Sequence, residues 1–173
     1  MKVPRILLAA GASGSGKTLI TCGLLQALVN RGLKTASFKC GPDYIDPMFH
    51  SRVIGTKSRN LDTFFTDKEI TRYLLCQNAA GCEISVMEGV MGFYDGVAGT
   101  TTRASAYDLA KVTDTPVILI VNSRGMSVSL AAYVKGFLEY KKDSHIKGVI
   151  FNQMSPMLYP RMKKLLEEEL GVA

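Results

Sequence analysis

Gly11-Ala12-Ser13-Gly14-Ser15-Gly16-Lys17-Thr18 is the stretch from which the fold is read. It fits the pattern G-x-x-x-x-G-K-T, in which each residue type has a physical reason. Glycines at 11, 14 and 16 let the main chain turn so that consecutive N–H groups, those of Ser13 and Ser15 among them, point at phosphate oxygens. A helix starting at Lys17 adds the partial positive charge of its N-terminus. Lys17 places an ammonium between β- and γ-phosphates, and Thr18 offers a hydroxyl to Mg²⁺. The loop predicts a nucleoside triphosphate site, with ATP as cosubstrate and Mg²⁺ as cofactor. It leaves the reaction open.

Working outward, apolar runs alternate with segments of helical period, the pattern of a doubly wound α/β domain. The reading is a P-loop NTPase-like, mainly parallel sheet with helices on both faces. Strands are predicted at Arg5–Ala10, Thr35–Lys39, Ile84–Glu88, Val117–Val121 and Gly148–Phe151, each nearly continuous in apolar residues as a strand buried on both faces should be. Helices are predicted at Lys17–Asn30, Asp67–Asn78, Ala104–Val112, Val128–Tyr140 and Pro160–Leu170. Gly32 and Gly81 fall where a helix-terminating glycine belongs, and Thr66 with Glu69 fits a capping box. There is no internal repeat or linker. Residues 1–173 read as one domain that is expected to continue, because Gly171-Val172-Ala173 looks like a helix stop followed by the first residues of another strand.

Composition narrows the function classes. Hydrophobic residues make up 47% and charged residues 21%, which excludes disorder and collagen-like repeats. No run approaches the roughly 18 apolar residues of a membrane span, and the N-terminus lacks a signal-peptide cleavage region. The expectation is a cytoplasmic protein with no membrane partner. The net charge of +6 suits an acidic ligand. The basic residues are scattered singly, which argues against nucleic acid. Four cysteines match no zinc or redox spacing and are expected to be reduced and mostly buried. His50 and His145 stand isolated and read as surface or loop residues, and the methionines, Met87 and Met91 included, as core filler.

Carboxylates gather at the predicted strand ends. Lys39 closes the second strand and is followed by Gly41-Pro42-Asp43-Tyr44-Ile45-Asp46-Pro47, read as an extended loop. Glu88 closes the third strand, and Asp95 follows seven residues on. Ligands of open α/β sheets sit at the carboxyl ends of the strands, so Lys39, Asp43, Asp46, Glu88 and Asp95 should converge on the phosphate loop. Clustered carboxylates call for a cation, and Mg²⁺ held by Thr18, Asp46 and Glu88 would supply it. Asp43, Asp46 and Asp95 also suit plain turn chemistry.

On these residues the chain resembles the cobyrinic acid a,c-diamide synthase family, specifically its N-terminal synthetase domain, related to dethiobiotin synthetase and cobyric acid synthase. The matching pieces are the phosphate loop, FKCGPDYIDP at 38–47, RNLD at 59–62, EGVMGFYDG at 88–96 and GVIFN at 148–152. The resemblance implies ATP-dependent amidation of the a and c acetate side chains of a corrin polycarboxylate, in cobalamin biosynthesis. It implies ammonia released from glutamine by a C-terminal glutaminase domain. It also implies an adenine contact at Asn152, and maps the handling of Mg²⁺, phosphate and substrate carboxylate onto Asp43, Asp46, Glu88 and Asp95. Asn122 departs from the family, whose members often carry aspartate there.

The chemistry agrees with the residues. A carboxylate accepts an amine only after activation, and phosphorylation makes an acyl phosphate. That transfer asks for in-line positioning and charge neutralisation by Lys17, Mg²⁺ and Lys39, and the resemblance adds Asp43, Asp46 and Asp95 to the catalytic set. Arg59, Arg103 and Arg124 are candidates for easing the approach of two anions. Other readings stay open: a related tetrapyrrole a,c-diamide synthase or a dethiobiotin synthetase-like ligase, and, from another class, a nucleotide-switch ATPase of the partition or division-site type. Ala12 and Ser13 stand where such switches carry an additional lysine, which weighs against the last.

Overall fold

The computed structural model describes residues 3–173. Its centre is a six-stranded parallel sheet in the order β3-β2-β4-β1-β5-β6. The strands are β1 (Arg5–Ala10), β2 (Thr35–Cys40), β3 (Lys57–Leu61), β4 (Ile84–Glu88), β5 (Val117–Asn122) and β6 (Ile146–Asn152). The helices are α1 (Lys17–Asn30), α2 (Ile45–Phe49), α3 (Lys68–Ala79), α4 (Ala106–Thr113), α5 (Ser129–Glu139) and α6 (Tyr159–Leu170). A single π-helical turn, His50–Ile54, follows α2. Among the described residues no helix is long and apolar enough to cross a membrane.

Alternation along the buried strands divides the core between the two faces of the sheet. Leu8 and Ala10 of β1, Val86 of β4 and Ile120 of β5 pack with Leu25 and Leu28 of α1. Leu7 and Ala9, Met87, and Val117, Leu119 and Val121 pack on the other side with Leu75 of α3, Leu109 of α4, Leu130 of α5 and Leu166 of α6. The central strands are the ones read from apolar runs. β1 and β4 fall on the expected limits, β2 and β5 each run one residue further, and β6 starts two residues earlier and ends one later.

β3, α2 and the π-helical turn that follows it were not anticipated. β3 reads Lys57-Ser58-Arg59-Asn60-Leu61 and is an edge strand that buries only Ser58 and Leu61, so it has no apolar run to announce it. The stretch after Pro42, expected to be extended, instead turns into α2, with Pro47 inside its first turn, where a missing N–H costs nothing. The helix at 68–79 is also capped differently from the capping box expected at Thr66 and Glu69. Asp67 is the N-cap, and its side chain accepts from Ile70 N at 2.8 Å. At the other end of the chain, Val149 N donates to Ala173 O at 2.7 Å, so the last residues lie along β6.

The thiols are all free, yet only Cys40 is buried; Cys22 and Cys82 are half-buried and Cys76 is exposed, against the expectation that most would be hidden. Met87 is core as expected, whereas Met91 is 46% exposed.

The capping assignment is testable by urea denaturation. Asp67→Ala is expected to cost about 1 kcal/mol, and Glu69→Gln only about 0.3 kcal/mol through the helix dipole. The reverse order of effects would restore the capping box.

Candidate functional site

The phosphate loop joins β1 to α1 with its amides unclaimed. Gly16, the N-cap of α1, is left-handed at φ 93° and gives no side-chain cap, so the N–H groups of the first turn remain free for an anion. Gly14 is also left-handed, at φ 75°. A Cβ on Gly16 would collide with the amide of Asn152, which donates to Ser15 O at 2.9 Å and so ties the end of β6 to the loop. Ser15 Oγ donates to Ala12 O at 2.9 Å. Lys17 is buried, and its Nζ donates to Met91 O at 2.7 Å and Ala12 O at 3.3 Å. Burial and the neighbouring Lys39 lower its pKa, while Glu88 and Asp95 oppose that shift.

Sheet register sets the acidic half. Lys39 of β2 lies directly across from Glu88 of β4. Lys39 Nζ is 2.7 Å from Glu88 Oε1, 2.5 Å from Asp46 Oδ2 and 3.8 Å from Asp43 Oδ2. Burial works against the charge on Lys39, but the hydrogen bonds and charges of Asp46 and Glu88 outweigh it and raise its pKa. The cation that the carboxylates require is therefore present as a lysine. Asp43 also fastens the start of α2, because its Oδ1 accepts from Ile45 N at 2.9 Å and from Asp46 N at 3.2 Å. Thr18 Oγ1 donates to Glu88 Oε1 at 2.6 Å and joins the phosphate loop to this group.

A cavity of about 440 Å³ opens between the two halves, lined by the loop residues Ser13, Gly14, Gly16, Lys17 and Thr18 and by Lys39, Asp43, Asp46 and Glu88. Of the remaining expected residues, Gly11, Ser15 and Asn152 are not among those that line the cavity, and Gly11 packs so tightly against Tyr133 and Phe137 that a side chain would overlap them. Asp95 also lies outside the lining, its Oδ2 accepting from Gly92 N at 3.0 Å. Arg59, Arg103 and Arg124 are exposed and line none of it. Arg59 bonds to Ser58 O, and Arg103 lies over the Phe64 ring. Asn122 Oδ1 accepts from Arg124 N in the turn after β5.

The donors present suit a hard divalent cation. The Thr18 hydroxyl and a Glu88 carboxylate oxygen sit together, and Glu88 Oε2 is buried without a hydrogen-bond partner. Among the described residues no group of three or more His, Cys, Asp or Glu side chains is placed to hold a metal. Mg²⁺ here would therefore complete its shell with phosphate oxygens and water.

Two participants were missed. His50, expected as a surface or loop residue, is fully buried in the π-helical turn, with Nε2 3.9 Å from Glu88 Oε2. Desolvation lowers its pKa despite the nearby Glu88 and Asp46. The only sequence signal was its place one helical turn after Asp46, and that turn was not anticipated. Met91, taken as core filler, turns its main chain to φ 47° and presents its carbonyl to Lys17. A backbone role of that kind leaves no mark in residue type.

The family described as the CobQ/CobB/MinD/ParA nucleotide binding domain matches residues 6–173. The cobyrinate a,c-diamide synthase of Thermoplasma volcanium is 44% identical over 173 residues, which is 99% of this chain and 38% of that protein. The hydrogenobyrinate a,c-diamide synthase of Streptomyces coelicolor is 42% identical over 98% of this chain and 35% of its own length. Among solved structures, the signal recognition particle 54 kDa protein of Aeropyrum pernix superposes with a TM-score of 0.64 at 16% identity, over 99% of this chain and 40% of that one. Hydrogenase maturation factor HypB of Archaeoglobus fulgidus gives 0.58 at 16% identity, over 99% and 71%. These two likenesses bear on the fold alone.

Removing the lysine would leave Asp46 and Glu88 facing each other without compensation. Lys39→Met is expected to lower unfolding free energy by about 3–5 kcal/mol, read by chemical denaturation at pH 7. A loss under about 1 kcal/mol would mean the pair behaves as an exposed one.

Proposed function

Because this chain belongs to the CobQ/CobB/MinD/ParA nucleotide-binding family, and spans little more than a third of the length of the curated relatives it matches, we propose that it is the ATP-binding amidoligase domain of a larger a,c-diamide synthase. In this reading it acts in the cytoplasm, in cobalamin biosynthesis, on the a and c acetates of a cobyrinic acid-type corrin. Ammonia comes from glutamine hydrolysed in a glutaminase domain. The observation that carries the reading is the shared cavity: the phosphate loop and the GPDYIDP carboxylates line one space.

The proposed steps follow from the residues. The free amides of residues 13–18 hold the β- and γ-phosphates, and Lys17 exchanges its two carbonyl partners for phosphate oxygens. Thr18 and Glu88, with Asp46, hold Mg²⁺, which would neutralise charge on the phosphates. An acetate oxygen attacks the γ-phosphorus in line, the bond to the bridging oxygen breaks, and ADP leaves. Lys39 offsets the charge that gathers as two anions meet. Ammonia then attacks the acyl carbon and loses a proton as phosphate departs, leaving the amide. Asn152 faces adenine, and Asp43 and Asp95 keep the two flanking turns in place.

The test supplies ATP, Mg²⁺, ammonia and cobyrinic acid and follows amide formation by mass spectrometry. Amide product is expected, with Lys17→Ala reducing turnover by about a hundredfold or more and Glu88→Gln raising the Mg²⁺ concentration needed for half-maximal rate. ATP hydrolysis that ignores the corrin and responds only to a protein partner would replace this reading with a nucleotide switch.

A further inference from the structure

One buried polar side chain beside Glu88, that of His50, has no part in the steps above. His50 is fully buried, and neither ring nitrogen has a hydrogen-bond partner. Glu88 Oε2, also buried, is likewise unpartnered and lies 3.9 Å from His50 Nε2. Leaving buried polar atoms unpaired carries the full penalty of their lost hydration. Two such atoms facing each other across a gap just too wide for a hydrogen bond are best explained as a contact that closes in another state of the site.

The backbone around His50 is built to hold it there. Its carbonyl accepts from Gly55 N, Thr56 N and Thr56 Oγ1. With its one proton given to that carbonyl, Thr56 Oγ1 accepts from Ser37 Oγ at 3.0 Å, which fixes the turn to β2. Glu88 is the movable partner. Its Oε1 alone carries the bonds from Thr18 and Lys39. Were the Thr18 hydroxyl drawn to a metal ion, one of those bonds would be lost, and a turn of the carboxylate would bring Oε2 onto the imidazole.

We propose that His50 is a positioning residue that donates from Nε2–H to Glu88 Oε2 and so aims the other carboxylate oxygen at the Mg²⁺ of bound nucleotide. This rests on the Mg–ATP reading of the site. A neutral imidazole supplies the single donor needed, and the ring itself stays away from phosphate and metal.

The chain has two histidines, so ¹⁵N-histidine labelling separates His50 from His145 in long-range ¹H–¹⁵N spectra. The Nε2–H tautomer is expected at His50, with its Nε2 resonance moving when ATP and Mg²⁺ are added together and not with ATP alone. In calorimetry, His50→Leu is expected to weaken Mg²⁺ binding to the ATP-loaded chain about tenfold or more, and His50→Gln, which keeps an N–H, to recover most of that loss. Metal-free ATP binding should be equal in all three. An Nδ1–H tautomer, a resonance indifferent to Mg²⁺, unchanged metal affinity in His50→Leu, or a glutamine variant as weak as the leucine one would each overturn the proposal. Should His50→Leu fail to fold, the spectra of the unmodified chain decide. Absence of any ATP binding by the unmodified chain would instead strike down the nucleotide reading itself, a distinct outcome.

Discussion

The site depends on one ammonium group. Lys39 holds Asp46 and Glu88 at hydrogen-bond distance from a single nitrogen, with Asp43 a little farther off. Carboxylates this close repel one another, and the ammonium between them offsets that repulsion beside a loop whose main-chain amides are free. The arrangement follows from sheet register, because Lys39 and Glu88 are direct neighbours on adjacent parallel strands.

The order of strands makes that neighbourhood possible. β1 delivers the phosphate loop, β4 lies beside it, and β2 lies beyond β4, so three carboxyl ends open onto one cavity. The chain from β2 does not run straight on. It folds back through α2 and a π-helical turn, which carries Asp46 over the site and His50 beneath it. Thr18 reaches across from α1 to Glu88, so the nucleotide half and the carboxylate half are joined by one hydrogen bond of 2.6 Å. The hydroxyl after Lys17, proposed as a Mg²⁺ ligand, serves in this structure as the clasp between the halves.

The central fold was legible because strands buried on both faces write themselves as apolar runs, and the glycine loop between β1 and α1 has few other uses. β3 escaped because an edge strand needs to bury only alternate residues, and Ser58 and Leu61 make no run. Asp46-Pro47 read as a loop breaker, whereas a proline in the first turn of a helix is well tolerated. At the site, Lys39, Asp43, Asp46 and Glu88 were readable as chemistry-bearing types at strand ends, and they do line the cavity with Lys17 and Thr18. His50 and the Met91 carbonyl were not, since one depends on a local helical turn and the other on a backbone angle. The arginines are the converse case: residue type pointed to anions, and the structure leaves all three exposed and outside this cavity.

The most direct measurement is a crystal structure of the chain grown with Mg²⁺ and a non-hydrolysable ATP analogue. The account predicts phosphate oxygens on the main-chain amides of residues 13–18, Lys17 turned from the Met91 carbonyl onto the β- and γ-phosphates, and the metal between Thr18 and Glu88. Triphosphate density lodged elsewhere, with Lys17 still on Met91 and the glycine turn empty, would contradict it.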